Sequence, residues 1–281
     1  MTALRPPNLD ESVVDGFGDE WTRFDQSALS EAELRTMFES YFGIFPWGTL
    51  PPAAAGFDAG CGTGRWARFV APRVGRLTCV DASEGALSVA KRNLAGAANV
   101  DFQLVSIGAL PFPDASMDFG YSLGVLHHLP DTPAAVRACA AKLKPGAPFL
   151  LYLYYAFDNR PAWFRGIWRA SEVVRRTVSR LPYGLRFIAS QVLAATLYWP
   201  LARTARALER RGHDVRNFPL AFYRDRSFYV MRNDALDRFG TRLEQRFTRA
   251  QIERMLSDAG LERIHFSETP PLWTAVGYKR A

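Results

Sequence analysis

The sequence predicts a doubly wound α/β fold with about seven strands, and two observations support this prediction. Between residues 53 and 156, short apolar segments alternate with helix-forming segments, a rhythm that is typical of parallel strands connected by helices. Near the C-terminus, only residues 268–271 separate two further strand-like segments, and this link is too short for a crossover helix. We therefore expect a Rossmann-like sheet that ends in an antiparallel strand pair, with an N-terminal helical cap and a large helical insertion.

The elements follow in order along the chain. Residues 10–48 are predicted to form the helical cap, because apolar residues such as Leu34, Phe38 and Phe42 recur at helical spacing before a group of prolines. Strands are predicted at 53–59, 76–81, 100–105, 117–123 and 148–155, with helices at 65–70, 84–94 and 133–143.

The alternation stops after Tyr155. It resumes at Thr248, which with Gln251 has the form of a capping box before a helix at 249–258 and strands at 261–267 and 273–279. The predicted organisation is a cap or lid at 1–52, a core at 53–157 and 248–281, and an arginine-rich helical insertion at 158–247.

The positive charge is concentrated in that insertion. The formal net charge is +7, but residues 160–249 contain nineteen arginines, no lysine and seven acids, which gives this segment +12 and the remainder −5. Such a field can attract an anionic substrate, an anionic lipid surface or nucleic acid, although a solvated helical face is equally compatible with it. No nucleic-acid-binding module or lysine-rich patch accompanies it, so we do not expect a nucleic-acid partner.

Composition narrows the class of protein further. Hydrophobic residues make up 48% of the chain, which is enough for a large core. Cys61, Cys79 and Cys139 are scattered and have no metal-ligand spacing, so we expect a reduced cytoplasmic setting and no metal site.

Residues 1–20 lack the apolar segment of a signal peptide. The most apolar stretch, 185–201, is short for a bilayer crossing, and we expect a buried or surface-lying helix there.

A glycine-rich turn is the strongest functional signal. Residues 60–64 read Gly-Cys-Gly-Thr-Gly after the first predicted strand, and glycine permits positive φ and close approach of a ligand. Asp81 ends the next strand, about 20 residues after Asp58, where a carboxylate can bind ribose hydroxyls. A dinucleotide motif would need glycine or alanine where Arg65 stands, and a Walker loop would need Gly-Lys-Ser/Thr. A nucleoside without phosphates is the third reading.

Four motifs together resemble the class I S-adenosylmethionine-dependent methyltransferases, especially the ubiquinone/menaquinone-biosynthesis-like branch. They are Asp58-Ala59-Gly60-Cys61-Gly62-Thr63-Gly64, Val80-Asp81-Ala82-Ser83, Leu110-Pro111-Phe112-Pro113-Asp114-Ala115-Ser116-Met117-Asp118 and Val125-Leu126-His127-His128-Leu129. The resemblance covers about residues 53–156 and 248–280 and does not extend to 158–247.

The resemblance implies S-adenosylmethionine as cofactor. It places the glycine turn under the methionine part, Asp58 at the amino group and Asp81 at the ribose. Where the family often has an acid near the adenine, this chain has Ser106, which can hydrogen-bond but carries no charge. The expected cofactor-binding residues are Asp58, Gly60, Cys61, Gly62, Gly64, Asp81, Ala82, Ser106, Ile107, Ser122 and Trp21.

Trp21 belongs to this set as part of a lid. Phe17, Trp21 and Phe24 recur at helical spacing before the first strand, where the resembling family commonly has its cap. Simple packing of these aromatic residues on the core is the alternative.

The catalytic candidates are His127 and Tyr154. Methyl transfer is an in-line displacement that requires alignment and exclusion of water, and an oxygen or carbon acceptor can require a general base. His127 follows the fourth predicted strand and is the candidate base, although a histidine here is often structural in the resembling family. Tyr154 is a candidate pocket residue, with core packing as the alternative.

The insertion suggests the class of acceptor. Arg160, Trp163, Arg165 and Trp168 interleave guanidinium and indole groups, which suit a carboxylate or phosphate beside a ring, an isoprenoid tail or a membrane interface. We expect O- or C-methylation of a small-molecule or lipid-linked acceptor, with peripheral membrane contact as a further expectation. The alternatives are a nucleic-acid or protein methyltransferase that docks through the insertion, and a non-catalytic cofactor-binding assembly protein. The sequence carries no signal for an oligomeric state.

Overall fold

A computed structural model describes residues 8–281, which form two compact units. The sheet unit contains residues 8–26, 34–156 and 243–281, and the arginine-rich unit contains residues 27–33 and 157–242. The division at 242/243 assigns residues 243–247 to the sheet unit, whereas the sequence grouped them with the insertion. The first residues of the predicted cap, and part of the segment inspected for a signal peptide, lie outside the described residues.

A single seven-stranded sheet organises the sheet unit, in the order β3-β2-β1-β4-β5-β7-β6. The five strands β1 to β5 are parallel, and β7 runs antiparallel to both β5 and β6. The strands are β1 (Ala55–Ala59), β2 (Arg76–Asp81), β3 (Val100–Leu104), β4 (Phe119–Leu123), β5 (Pro148–Tyr152), β6 (Leu261–Phe266) and β7 (Ala275–Lys279). This arrangement confirms the predicted fold class and the antiparallel C-terminal pair.

The central strands are apolar because both faces of the sheet are covered. Phe57, Phe119 and Phe149, on β1, β4 and β5, are fully buried, as expected for a parallel sheet between two helical layers. Leu104 on the edge strand β3 is 57% exposed. The apolar pattern that predicts a strand is therefore clearest for the central strands β1, β4 and β5.

Short polar residues begin the helices at the predicted places. Asp10, Ser83 and Asp131 each accept a backbone N–H at the start of a helix, and Thr248 forms the predicted capping box with Gln251. These helices, together with a cap helix and a short helix after the glycine turn, are α1 (Glu11–Arg23), α2 (Glu31–Phe42), α3 (Ala67–Val70), α4 (Glu84–Asn93), α5 (Thr132–Ala141) and α10 (Arg249–Asp258).

The fifth strand is shorter than predicted. Its ladder to β4 ends at Tyr152, and the predicted continuation to residue 155 does not pair with the sheet. Instead, the N–H of Phe247 donates to the carbonyl of Tyr154, and the N–H of Ala156 donates to the carbonyl of Phe247. The backbone hydrogen bonds of Tyr154 and Ala156 are therefore made with Phe247, which is distant in sequence, and no local pattern in the sequence predicts this pairing.

Four helices build the arginine-rich unit: α6 (Ala162–Val178), α7 (Tyr183–Leu193), α8 (Trp199–Arg210) and α9 (Phe228–Gly240). Residues 194–198 form a π-helical turn between α7 and α8. The hydrophobic core of this unit contains Val178, Tyr198, Met231 and Phe239. Within residues 8–281, no helix combines the length and apolar character that a bilayer crossing requires.

Candidate functional site

The order of the sheet places a crevice between β1 and β4. Strand order reverses there, and doubly wound proteins bind ligands at the carboxyl ends of the strands at such a point. Backbone pairing between the two strands ends at Asp58 and Tyr121. Beyond that point the Ser122 hydroxyl, which is fully buried, donates to the Ala59 carbonyl at 2.7 Å. Ser122 thus joins the two strands where their ladder stops, and its proposed contact with a cofactor stays a prediction.

The glycine turn lies at the end of β1 and has the backbone conformation that its composition predicts. Gly60, Gly62 and Gly64 have φ values of +85°, +53° and +73°, which side chains of L-residues rarely allow. A Cβ atom on Gly60 would lie 2.4 Å from a methyl group of Val125, and one on Gly64 would lie 2.7 Å from Leu94. Glycine is therefore required at these positions by conformation and by space.

Asp81 holds the glycine turn from the end of β2. Its Oδ2 accepts the N–H of Gly62 at 2.9 Å, and its Oδ1 accepts the N–H of Ser83 at 2.9 Å. Burial raises the pKa of the Asp81 carboxyl, and these N–H groups oppose the rise. Each carboxylate oxygen retains a second lone pair, so a diol could bind without displacing the turn. Ala82, between Asp81 and Ser83, is half-buried.

Asp58 is a buried acid in this crevice, with an exposed fraction of 1%. Burial raises its pKa to about 8, opposed by the Tyr121 hydroxyl and reinforced by the charge of Asp81. The Tyr121 hydroxyl is near enough to lower the pKa of Asp58, but its geometry is not that of a hydrogen bond, and among the described residues neither it nor Asp58 Oδ2 has a hydrogen-bond partner. The acid is therefore largely protonated at neutral pH, and a neighbouring ammonium group would favour its ionised form.

Two further buried hydroxyls have no partner within residues 8–281. They belong to Thr63, in the glycine turn, and Ser106, which follows β3. Buried polar atoms in native proteins are nearly always hydrogen-bonded, so an unpartnered group calls for an explanation. A ligand with several polar atoms provides one. Sequence reasoning singled out Ser106 but missed Thr63 and Tyr121, because an apolar-flanked strand tyrosine is normally a packing residue.

Two further predicted cofactor residues are buried. Cys61 lies in the turn as a free thiol, and Ile107 packs in the main hydrophobic cluster. Their contacts with a cofactor stay predictions.

Helix α1 covers the glycine turn. A Cβ atom on Gly62 would lie 3.2 Å from the indole nitrogen of Trp21, and a Cβ on Gly18 would lie 2.7 Å from the Ser83 hydroxyl. The Arg65 guanidinium, just after the turn, lies 5.5 Å from the Trp21 ring centre. Trp21 therefore lies against the glycine turn, and its predicted role as a lid over the cofactor stays a prediction.

A closed circuit of aromatic contacts joins residues at or after the ends of β1, β4 and β5 to residues of α1 and α2. Successive ring or cation–ring contacts, all within 6.4 Å, connect Trp21, Phe17, His128, Tyr154, Tyr152, Tyr41, Trp66, Arg65 and again Trp21. Such a wall favours an apolar or aromatic ligand.

His127 lies against this wall and is fully buried. Its ring centre is 3.9 Å from that of Tyr154 and 4.0 Å from that of His128. Burial and the charges of His128 and Arg246 hold the pKa of His127 well below its usual value, so the imidazole is neutral. Neither ring nitrogen has a hydrogen-bond partner among the described residues. His128 instead contacts the Leu243 carbonyl through Nδ1 at 2.7 Å, which gives it a linking role.

Arg246 was missed by sequence reasoning. Its guanidinium carbon lies 5.0 Å from the Tyr154 ring centre, and its Nε pairs with Glu244 at 2.9 Å. Burial lowers the pKa of Arg246, but the Glu244 carboxylate and the nearby tyrosines outweigh that effect and raise it. Arg246 and Tyr155 are 91 residues apart in the chain and still come within reach of each other. No short-range pattern predicts such a contact.

Nowhere in residues 8–281 do three or more His, Cys, Asp or Glu side chains cluster in a way that could hold a metal.

Comparisons with known proteins show what this part of the chain is similar to. Residues 57–151 match a family profile described as "Methyltransferase domain". A ubiquinone biosynthesis O-methyltransferase of Idiomarina loihiensis is 36% identical over 121 residues, which are 42% of this chain and 48% of that protein. A malonyl-acyl-carrier-protein O-methyltransferase of Serratia marcescens is 30% identical over 150 residues, 53% of this chain and 55% of that protein. The chain thus spans about half the length of these relatives.

Solved structures agree in fold. A chain of the complex between the Haloferax volcanii Trm112 methyltransferase activator and a methyltransferase has a TM-score of 0.52 at 15% identity, covering 94% of this chain and 98% of that one. An S-adenosylmethionine-dependent methyltransferase of Thermotoga maritima has a TM-score of 0.50 at 15% identity, covering 94% and 100%. The profile match, the curated relatives and the shared fold agree with the glycine turn and its two acids: residues 57–151 match a methyltransferase domain, of the kind found in class I S-adenosylmethionine-dependent enzymes.

Proposed function

We propose that this protein transfers a methyl group from S-adenosylmethionine to a hydroxyl or carbon nucleophile of a small-molecule or lipid-linked acceptor. The proposal is carried by one observation: several buried polar atoms at the glycine turn and the neighbouring strand ends, above all Asp58 Oδ2 beside Asp81, have no partner within residues 8–281. These groups fit a nucleoside that bears an amino-acid tail and no phosphate. A cytoplasmic location, expected from the cysteine usage, stays part of the proposal.

The residues present divide the cofactor between them. Asp81 is placed to bind the ribose hydroxyls while it keeps its bonds to the Gly62 and Ser83 N–H groups. Asp58 would bind the ammonium group of the methionine part, because that cation stabilises the carboxylate that burial disfavours. Trp21 would exclude water above the turn. When bound, S-adenosylmethionine supplies a methyl group on a sulfonium, an electrophile that needs no metal.

The aromatic circuit supports an apolar or aromatic acceptor. Its walls include Tyr152, Tyr154 and Tyr41, with the Arg246 guanidinium over the Tyr154 ring. Two curated relatives are named for O-methylation in ubiquinone biosynthesis and of malonyl-acyl-carrier protein. A hydroxyl or carboxyl oxygen on a ring or acyl chain therefore heads the acceptors to be tested.

His127 is the proposed proton acceptor. Neither ring nitrogen of its neutral imidazole has a partner in the described part of the chain, and the ring contacts that of Tyr154. As the acceptor oxygen attacks the methyl carbon, His127 would take the hydroxyl proton while Tyr154 positions the acceptor. General-base catalysis typically contributes about 10²–10⁴-fold to a rate. We expect His127→Gln to lower kcat by that order without changing cofactor affinity; an unchanged kcat would leave His127 with a packing role only.

The test is a transfer assay with S-adenosylmethionine carrying a deuterated methyl group. The full chain is incubated with phenols and catechols, with and without isoprenoid tails, and with acyl-thioester carboxylates, and products are followed by mass spectrometry. We expect label on an oxygen or carbon, lost in Asp81→Ala and retained in Asp101→Ala. Asp101 is the matched control, because it is an acid on the neighbouring strand paired with Arg76 at the surface.

Two results would contradict the proposal. Label appearing on RNA, DNA or protein, with salt-sensitive binding, would favour a macromolecular substrate. Binding of S-adenosylhomocysteine without transfer to any component of a metabolite extract would favour a non-catalytic binding protein.

A further inference from the structure

A cavity of about 510 Å³ lies within the arginine-rich unit, at the end of α6. Four arginines and one serine line it: Arg175, Arg176, Ser179, Arg180 and Arg242. None of these lining residues is acidic, so the walls are cationic throughout.

Its floor is fixed by Arg175. The Nη1 of Arg175 donates to the carbonyls of Thr241 and Arg242 at 2.8 and 3.2 Å, while Nε and Nη2 bind both oxygens of Glu172. Every nitrogen of this buried guanidinium therefore has a partner, and α6 is fastened to the segment that follows α9. Arg175 therefore has a structural role in the cavity, and a ligand would be bound by the other lining arginines.

The rim carries three exposed guanidinium groups. Arg176 reaches Glu172 only at 3.5 Å, and its side chain is 68% exposed. Arg242 makes one long bond, from Nε to the Ser179 carbonyl at 3.4 Å. Within residues 8–281, neither Arg180 nor Arg242 pairs with a carboxylate. The cavity thus has an excess of positive charge that the described chain leaves uncompensated.

The carboxylate that pairs with two of the lining arginines is already shared. Glu172 binds Arg175 at 2.5 Å and Arg238 at 3.1 Å, in addition to its long contact with Arg176. One negative charge cannot balance these and the rim arginines as well. Several guanidinium groups facing one space match an anion with several charged oxygens, and arginine forks bind phosphate through paired hydrogen bonds.

We propose that this cavity binds a phosphate-bearing ligand, whose charged oxygens are held by Arg176, Arg180 and Arg242. The volume exceeds that of one phosphate group, so part of the ligand's body fits as well. Val173 and Val174, next to the lining arginines on α6, are 66% and 42% exposed, and Leu185 on α7 is 56% exposed. The phosphate can belong to a soluble phosphomonoester or to a phospholipid headgroup, and the experiment distinguishes these sources.

The arginines have a competing structural explanation. Arg175 and Arg176 occupy the last turn of α6, where a positive charge compensates the helix dipole. That explanation accounts for two of the four arginines and leaves Arg180 and Arg242 without a role. The test therefore removes these two together, as Arg180→Gln with Arg242→Gln. The matched control is Arg210→Gln with Arg211→Gln, an exposed pair at the end of α8 in the same unit.

Binding is measured on the full chain in two arms. Calorimetry uses glycerol 3-phosphate and inorganic phosphate, and cosedimentation compares vesicles of phosphatidylcholine with and without phosphatidic acid. We expect the Arg180/Arg242 variant to lose at least tenfold in affinity in the arm that binds, and the Arg210/Arg211 variant to lose less than twofold. Thermal unfolding of both variants should match the wild type, since all four side chains are exposed.

The arms identify the source, and two results overturn the proposal. Binding of the soluble phosphates assigns the cavity to a phosphomonoester, whereas binding only to vesicles with phosphatidic acid assigns it to a lipid headgroup. If the wild type binds no phosphate in either arm, there is no site. If the two double variants lose affinity equally, the net charge of the unit explains the binding and the cavity is not a specific site.

Discussion

The two units treat an acid that is wholly or partly removed from water in opposite ways. In the sheet unit, Asp58 lies among weak partners, and burial raises its pKa to about 8. In the arginine-rich unit burial likewise raises the pKa of Glu172, but Arg175 and Arg238 overcome this effect and bring it down to about 2. One carboxyl is kept neutral and partly unpartnered, whereas the other is ionised and shared among arginines.

The difference separates groups that await a ligand from groups that hold the fold. A buried charge persists only when it is paired and hydrogen-bonded, and otherwise it is neutralised. Glu172 meets the first condition from within its own unit. Asp58 does not meet it among the described residues, since its Oδ2 has no hydrogen-bond partner there, and a bound ligand would supply one. Mutation of Asp58 or Asp81 should therefore affect cofactor binding, whereas mutation of Glu172 should affect stability.

The largest expected effect is on Asp81. We expect Asp81→Ala to weaken binding of S-adenosylhomocysteine by roughly 10²-fold or more, because two hydrogen bonds to a charged group, at roughly 1.5–3 kcal/mol each, disappear. Calorimetry measures the affinity, and Asp101→Ala is the control. If Asp81→Ala bound the ligand as tightly as the wild type, Asp81 would belong with the fold-holding groups and the comparison would fail.

Glu172 should show the reverse pattern. Glu172→Gln leaves Arg175 and Arg238 without their countercharge, and we expect a loss of about 2–3 kcal/mol in the free energy of unfolding. Cofactor affinity should not change. Glu209→Gln, which breaks an exposed pair with Arg224, is the control and should cost at most about 1 kcal/mol.

The same residue predicts a dependence on pH. Because the pKa of Glu172 is lower in the folded state, its stabilisation is complete above the unfolded value and is lost as pH falls through about 2. Glu172→Gln should remove that part of the acid sensitivity. An unaltered acid transition would mean that Glu172 is not the ionised centre of its unit.

Asp58 should make cofactor binding depend on pH near neutrality, whereas the effect of Glu172 lies at strongly acidic pH. An ammonium group requires the carboxylate, so binding below pH 8 must first remove a proton. We expect the affinity for S-adenosylhomocysteine to fall by up to about tenfold per unit as pH decreases from 8 to 6. Asp58→Asn should bind more weakly and show a flatter profile; a wild-type profile already flat in this range would contradict the assignment.

The smallest expected effect is on Trp21. Trp21→Ala should weaken cofactor binding by roughly fivefold to tenfold, about 1 kcal/mol, because water gains access to the glycine turn. Trp163→Ala, at a tryptophan that is 53% exposed in the other unit, is the control. If both variants bind alike, Trp21 serves packing and the lid interpretation is wrong.

Much of the fold was predictable because its signals are local. Residues 60–64 require positive φ at defined positions, and Thr248 with Gln251 completes a helix start within one turn. The link between β6 and β7 is too short for any crossover. Each of these patterns is satisfied by neighbours in the chain, so the sequence alone predicts the sheet, its antiparallel end and the nucleoside turn. The individual cofactor contacts and the domain boundaries stay predictions.

The remaining features depended on partners distant in the chain. Arg246 contacts Tyr154, Phe247 takes over the backbone bonds beyond β5, and Glu172 meets Arg238, each only after folding. Which buried atoms lack a partner, as at Asp58 and Thr63, is also undefined until the whole interior is packed. Local propensity decides turns and caps, whereas burial and charge pairing are properties of the assembled core, and for that reason only the tertiary structure decided them.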